Sequence, residues 1–313
     1  MNHKICTLKS KVNRSMEFQR KGLATHTVNV GVRCGHNCTY CSTPSLLRMH
    51  PAFRILEERP FTVGPAIIDP EVADRLRHGR FPRLRSSDTV MICSTTDAWA
   101  PEARHYGLGR ECLEAILERT DAEVRVLTKS SAIVDDYDLI EKHKDRVVLS
   151  ISTTMPTSKS AESQAVEPSA SAPAERFAAI HEAANRGLRI YGMICPVLPL
   201  GNAGTMLADI CDELPMDIFE DVWIEPVNAR GNGLIRTRDA LEDAGLSTAA
   251  KNINAIRNRR CWSSYVQDLC LTTNDLLKKG MLPRGQTHVL VYGKHLTPGV
   301  DLTIKCMPEV IWL

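Results

Sequence analysis

The sequence predicts an α/β fold organised on a parallel sheet with crossover helices. Short apolar or β-branched runs alternate with amphipathic helical segments from residue 27 to residue 228. Each run is short enough for a strand, and most are apolar throughout, as strands buried on both faces are. After residue 236 the rhythm changes to one long helical stretch and then short strand-like runs.

TVNVGV (27–32) alternates and is β-branched, which reads as a strand, and a cysteine-bearing loop follows at once. STPSLL then supplies Ser and Pro where a helix can begin. Residues 53–86 read as irregular, rich in Arg and Pro. DTVMICS (88–94) suits a buried strand. HYGLGRECLEAILERT (105–120) has helical periodicity, with Leu108, Cys112, Leu113, Ile116 and Leu117 on one face. EVRVLTK (123–129) reads as strand, AIVDDYDLIEKH (132–143) as helix and RVVLSIS (146–152) as strand. The polar, Pro-punctuated stretch 154–173 reads as a loop. AERFAAIHEAANRG (174–187) is a helix closed by Gly187, and LRIYGMICPVLPL (188–200) is a strand running into a Pro-rich exit. TMLADICDEL (205–214) looks helical and DVWIEPVN (221–228) is another apolar strand. Six βα-type steps result, which suit either a barrel or a doubly wound sheet. Residues 1–235 are expected as the main domain. Residues 236–313 are expected as a C-terminal extension, mainly helical over 248–279, with short strands at THVLVYG and VDLTIKC.

With 313 residues, 43% hydrophobic and 24% charged, the chain has the composition of a soluble globular protein able to fold without a disulfide framework. A net charge of +2 is too small to imply a polyanionic partner by itself. The basic start lacks an apolar core, so it does not read as a secretory signal. No stretch approaches the roughly eighteen apolar residues of a membrane span. Eleven cysteines in such a chain are expected to be reduced thiols, metal ligands or redox groups, with the cytoplasm as compartment.

The chemistry concentrates in RCGHNCTYCSTPS, which sets Cys34, Cys38 and Cys41 in a C-x3-C-x2-C spacing directly after the first strand. Three closely spaced thiolates can hold three irons of a cubane cluster and leave the fourth open to a small molecule. Zinc is the alternative tenant. It takes four ligands, usually from paired C-x2-C arms, and here Cys93, Cys195 or His36 would have to complete the set. On that alternative the chain is a zinc-bearing nucleic-acid module, which would have no use for six βα steps.

C-x3-C-x-aromatic-C after the first strand of a βα chain resembles the signature of the radical S-adenosylmethionine superfamily. Further segments resemble its spore photoproduct lyase-like branch: STTDAWAPEARHYGLGRECLEAIL (94–117), VEPSASAPAERFAAIHEAANRGLRIYGMICPVLPL (166–200), and the strand ends TKS (128–130) and LSIST (149–153). The similarity covers roughly residues 27–230 and none of 236–313. It implies a partial (β/α)6 TIM-type barrel with a [4Fe-4S] cluster on Cys34, Cys38 and Cys41 and S-adenosylmethionine at the strand C-termini. It implies reductive cleavage of that cofactor to a 5′-deoxyadenosyl radical, which abstracts hydrogen from a substrate. An electron donor such as flavodoxin or ferredoxin is implied as partner.

Residue by residue, the resemblance puts Tyr40 near the adenine and Ser94, Thr95, Thr96 and Asp97 against the methionine end. Lys129 falls near the cofactor carboxylate, Ser150 or Ser152 near its polar groups, and Arg176 is a further carboxylate-binding candidate. Cys93 is a candidate hydrogen-atom donor, one residue farther from the aspartate than the branch pattern has it. On the residues alone, Thr95 and Thr96 serve equally as a helix cap, Arg176 as a partner of Glu175 or Glu167, and Cys93 as a small buried hydrophobe.

Two segments suggest a nucleotide or nucleic-acid substrate. RLRHGRFPRLR (75–85) carries five arginines with a phenylalanine, and RNRRCW (257–262) three arginines with a tryptophan. The alternative is a solvated surface whose arginines pair with nearby carboxylates. A peptide-modifying radical enzyme would bring further clustered cysteines, whereas Cys261, Cys270 and Cys306 are scattered.

Overall fold

The computed structural model describes residues 2–9, 12–80 and 82–313. Phe81, the aromatic of the first Arg-rich segment, lies outside the described residues. The N-terminal segment carries β1 (His3–Ile5) and β2 (Asn13–Arg14). β3 (His26–Val28), β4 (Gly31–Arg33) and β5 (Ala66–Ile68) flank the cysteine loop. There follow β6 (Thr89–Ile92), β7 (Glu123–Thr128), β8 (Val147–Ile151) and β9 (Gly192–Val197). The last are β10 (Val222–Pro226), β11 (Thr287–Val291) and β12 (Val310–Trp312).

The architecture is mixed α/β with parallel sheets. β3, β6, β7 and β8 pair in parallel, with β2 antiparallel on the outer edge of β3. β9, β10, β11 and β12 form a second parallel sheet in that order. Parallel bridges Leu149–Ile190 and Thr153–Ile194 join the two edges, so eight parallel strands run as one row. Among the described residues no pairing links β12 back to β2 or β3, and no closed barrel forms. β1, β5 and β4 make a small separate sheet beside the cysteine loop.

Successive strand residues face opposite sides, and the period of two separates two cores. Val90, Ile92, Val124, Val126, Val147, Leu149, Val222, Ile224 and Val289 turn outward onto the crossover helices. Met91, Val148, Met193, Trp223 and Leu290 turn inward, where Tyr191, Leu23 and Ala24 join them. The Arg125 guanidinium lies between the Tyr191 and Trp223 rings, 5.3 and 5.1 Å from their centroids. The turn after helix Met16–Arg20 docks on this inner face, with Trp223 Nε1 donating to the Lys21 carbonyl at 2.9 Å. The inward face is thus a packed floor, and the strand C-termini above it are free to carry polar groups.

Several expectations are corrected. The parallel row exceeds six strands, because residues past 235 supply β11 and β12 of the same sheet. The run at 27–32 is two strands in different sheets, parted at Asn29. At Gly31 an added Cβ would run into the Ile67 backbone, so the crossing of β4 and β5 admits only glycine. Residues 53–86 are not irregular: they hold the end of helix Pro51–Ile55, β5 and helix Val72–His78. Within 154–173, expected as loop, helix Ser160–Val166 forms. The stretch 248–279 divides into helices Ser247–Ala255 and Arg259–Lys278, because Asn258 caps the second by accepting from the Arg260 and Cys261 amides. VDLTIKC is helix Val300–Ile304 rather than strand, entered from Gly299 at a φ of 96°. Among the described residues no helix is long and apolar enough to cross a membrane.

Candidate functional site

A cavity of about 250 Å³ opens at the C-terminal ends of the parallel strands. Cys34, Cys38 and Cys41 line it together with Tyr40, Cys93, Ser94, Thr95, Thr96, Asp97, Lys129 and Ser152. Ser150 and Arg176 do not. The Ser150 hydroxyl is buried without a hydrogen-bond partner among the described residues, and Arg176 lies behind the cavity at 1% exposure.

The cysteine loop is pinned from several sides. The Gly35 amide donates to the Glu102 carboxylate, Thr39 N–H donates to the Val166 carbonyl at 2.9 Å, and Cys41 N–H to the Cys38 carbonyl at 3.2 Å. Asn37 takes a left-handed φ of 52°, which asparagine tolerates better than most residues. Burial, then the charge of Glu167, pushes the Cys38 thiol up to about 12, and burial raises Cys34 well above its ordinary value. Metal coordination would therefore have to displace protons.

The donor set suits a cubane iron–sulfur cluster. Three thiols face one cavity, and Arg236 stands behind them with a buried Nε that has no partner, its Nη2 donating to the Cys41 carbonyl at 3.4 Å. A cation beside the thiolates offsets the charge they bring. Two of the three groups named to complete a zinc set, His36 and Cys195, are engaged. His36 meets the Ser169 carbonyl at 3.0 Å and Asp97 at 2.8 Å through its two nitrogens, and the Cys195 thiol donates to Glu225 at 3.1 Å. Among the described residues no three His, Cys, Asp or Glu side chains could hold a single metal ion.

Two residues shape the loop after β6. Asn29 Oδ1 accepts from the amides of Ser94, Thr95 and Thr96 at 3.0, 2.8 and 3.3 Å, while its Nδ2 donates to Ser94 Oγ at 3.0 Å. Asp97 accepts from Trp99 N–H at 2.9 Å, Lys129 N–H at 2.7 Å and Thr128 Oγ1 at 2.9 Å. Burial works against its charge, but His36 and these donors hold its carboxyl below the usual range. Asp97 thus has its acceptor capacity filled by the protein. Cys93 sits at the base of this loop, and burial pushes its thiol up to about 12.

The cations expected at a cofactor carboxylate share a buried glutamate. Glu167 lies 3.2 Å from Lys129 Nζ and contacts Arg176 Nη2 and the Tyr40 hydroxyl. Burial opposes ionisation of Glu167, but Arg176 and Lys129 outweigh it and hold the carboxyl far below 4.5. Lys129 Nζ also donates to Ser152 Oγ at 3.1 Å and to the Cys195 carbonyl at 3.2 Å, and lies 5.7 Å from the Tyr40 ring centroid. Arg176 is therefore a partner of Glu167 rather than a lining residue. The sequence offered Glu167 only as one of two possible partners of Arg176, although its Glu-Pro step stands inside the 166–200 segment.

The β9–β11 side of the cavity carries groups that no sequence pattern indicated. Glu225 accepts from Tyr292 OH at 2.6 Å and from the Cys195 thiol, and pairs with Lys21 at 3.5 Å. Lys21 also pairs with Glu17 at 3.4 Å. Burial opposes the Glu225 charge, and Lys21 and the two donors outweigh it. Except for Lys21 with Glu17, four positions apart, and Cys195 with Glu225, 30 apart, these pairs join residues 67 or more positions apart, so the folded sheet is what brings them together.

Among the described residues, Arg75 and Arg77 of the first Arg-rich segment and Arg259 of the second are engaged within the protein. Arg75 pairs with Asp69 and Glu71, and Arg77 with Glu111 and Glu114. Arg259 donates to backbone carbonyls of residues 294–296. Trp262 is buried, its Nε1 donating to the Val227 carbonyl at 3.1 Å.

No protein-family model matches the chain. Over 205 residues it is 25% identical to an uncharacterized protein of Acidianus two-tailed virus, covering 64% of this chain and 64% of that protein. Over 203 residues it is 21% identical to an uncharacterized protein of Methanocaldococcus jannaschii, covering 64% and 70% respectively. The chain thus spans less than two thirds of the first of these relatives. Among solved structures, a spore photoproduct lyase variant aligns with a TM-score of 0.49 at 16% identity, covering 76% of this chain and 65% of that one. A second variant, with a dinucleoside spore photoproduct, aligns with a TM-score of 0.49 at 15% identity over 76% and 65%.

Proposed function

We propose that this protein is a radical S-adenosylmethionine enzyme whose [4Fe-4S] cluster is held by Cys34, Cys38 and Cys41. The observation that carries this reading is that all three thiols of the C-x3-C-x2-C spacing line one cavity with Tyr40, the 94–97 loop, Lys129 and Ser152. In this reading the parallel row is a partial barrel whose strand ends carry the chemistry. Bound there, the cluster and its cofactor supply the electron and the deoxyadenosyl radical that removes a hydrogen atom from the substrate.

The chain's own residues bind and orient. Ser94, Thr95 and Ser152 present hydroxyls to the cofactor's polar atoms, and Asn29 fixes the first two through their amides. Lys129 offers its ammonium while Glu167 holds it in place. The Tyr40 ring, anchored through its hydroxyl to Glu167, gives the adenine a rigid apolar face. The apolar floor beneath excludes water from the reacting groups. The resemblance of segments 94–117 and 166–200 supports a nucleotide or nucleic-acid substrate and a flavodoxin or ferredoxin as electron donor.

The test is to purify the chain without oxygen, reconstitute it with iron and sulfide, reduce it and assay 5′-deoxyadenosine from S-adenosylmethionine. About four irons per chain and product formation that disappears in Cys38→Ala are expected. Product retained in that variant would remove the cluster from these thiols. A fully loaded wild-type protein that neither binds nor cleaves the cofactor would end the reading.

A further inference from the structure

Among the described residues, three lysine and arginine side chains line the cavity: Lys21, Lys129 and Arg230. Two already have carboxylate partners, Lys21 in Glu225 and Glu17 and Lys129 in Glu167. Arg230 has no carboxylate at ion-pair distance among the described residues. Its guanidinium lies 5.3 Å from the centroid of the Tyr292 ring, half-buried. A guanidinium shielded from water on one face and unpaired on its donor edge is set to donate two parallel hydrogen bonds to an oxyanion.

The surroundings are built rather than loose. Asn228 Oδ1 accepts the Arg230 amide at 2.9 Å, and Asn232 Nδ2 donates to the Phe61 carbonyl at 2.9 Å. Just before them, Val227 N–H donates to Tyr265 OH at 2.8 Å and its carbonyl accepts from Trp262 Nε1. The Tyr292 ring is itself fixed by its hydroxyl on Glu225. The backbone that carries Arg230 is thus fixed, so little of it need be ordered when a ligand binds.

We infer that Arg230, resting on the Tyr292 ring, is a substrate subsite for an oxyanion, a phosphate or a carboxylate, on the β10–β11 side of the cavity. The inference rests on the reading of this cavity as the reaction chamber. It gives the substrate an anionic group held apart from the 94–97 loop.

The test titrates the full-length protein, iron-loaded, with phenyl phosphate, benzoate and phenol by calorimetry. One of the two anions is expected to bind, with phenol and the Arg230→Ala variant each about tenfold weaker and Arg230→Lys between. Preference for phenyl phosphate makes the group a phosphate ester, and preference for benzoate makes it a carboxylate. Equal affinity in wild type and Arg230→Ala, or no binding of either anion, overturns the subsite. An equal loss of S-adenosylmethionine affinity in Arg230→Ala would assign the guanidinium to the cofactor and overturn it too. Wild-type protein that loads no iron would sink the reaction reading alone, and an Arg230-dependent anion affinity in it would still support the subsite.

Discussion

At the scale of single residues, Glu167 decides the electrostatics of the cavity wall. It is fully buried between Lys129, Arg176 and the Tyr40 hydroxyl, so removing its charge leaves two cations without a counter-ion in a low-dielectric setting. Glu167→Gln keeps the shape and is expected to cost about 3 kcal/mol in urea unfolding at neutral pH. The sign of the pH dependence follows from the depressed carboxyl. The stabilisation is present above the ordinary value of 4.5 and is lost as pH falls through the lower folded value. The gap between wild type and variant should therefore narrow in acid. A gap that stays constant from pH 7 to acid would mean that the carboxylate charge contributes nothing there.

At the scale of elements, the helix Gly233–Asp243 is the buttress of the cysteine loop. Thr237 Oγ1 lies 2.9 Å from Thr39 Oγ1, and Arg236 reaches the Cys41 carbonyl from the same helix. Its first residue packs on backbone: a Cβ at Gly233 would stand 2.9 Å from the Tyr40 carbonyl oxygen. Gly233→Ala is expected to push helix and loop apart, costing about 1–3 kcal/mol and lowering iron retention after reconstitution. Full iron loading and unchanged stability would show that the helix does not set the loop's position. The boundary expected at residue 235 falls inside this helix. Hydrophobic rhythm reports local periodicity, whereas this helix's partner lies some two hundred residues earlier in the chain.

At the scale of the whole molecule, the legible features were those written in adjacent residues. The spacing of Cys34, Cys38 and Cys41 could be read directly and the Ser94–Asp97 run only through the resemblance, while most strands between β6 and β10 were legible because their apolar runs are short and clearly bounded. Lys21, Glu225, Tyr292 and Arg230 were not legible, because a single lysine or tyrosine carries no signal until the sheet order is known. β12 was missed for a related reason: three residues at an edge hold too little pattern to mark a strand. These late strands matter to the fold. β11 pairs with β10 along Val222–Ile224, places Leu290 in the inner core beside Trp223, and sets Tyr292 over the cavity. Without them β10 becomes an open edge and the inner core loses one wall. A chain ending at residue 286 is therefore expected to lose cooperative unfolding, while the full chain melts in a single calorimetric transition. The shortened chain unfolding cooperatively at the full-length midpoint would make residues 287–313 an appendage after all.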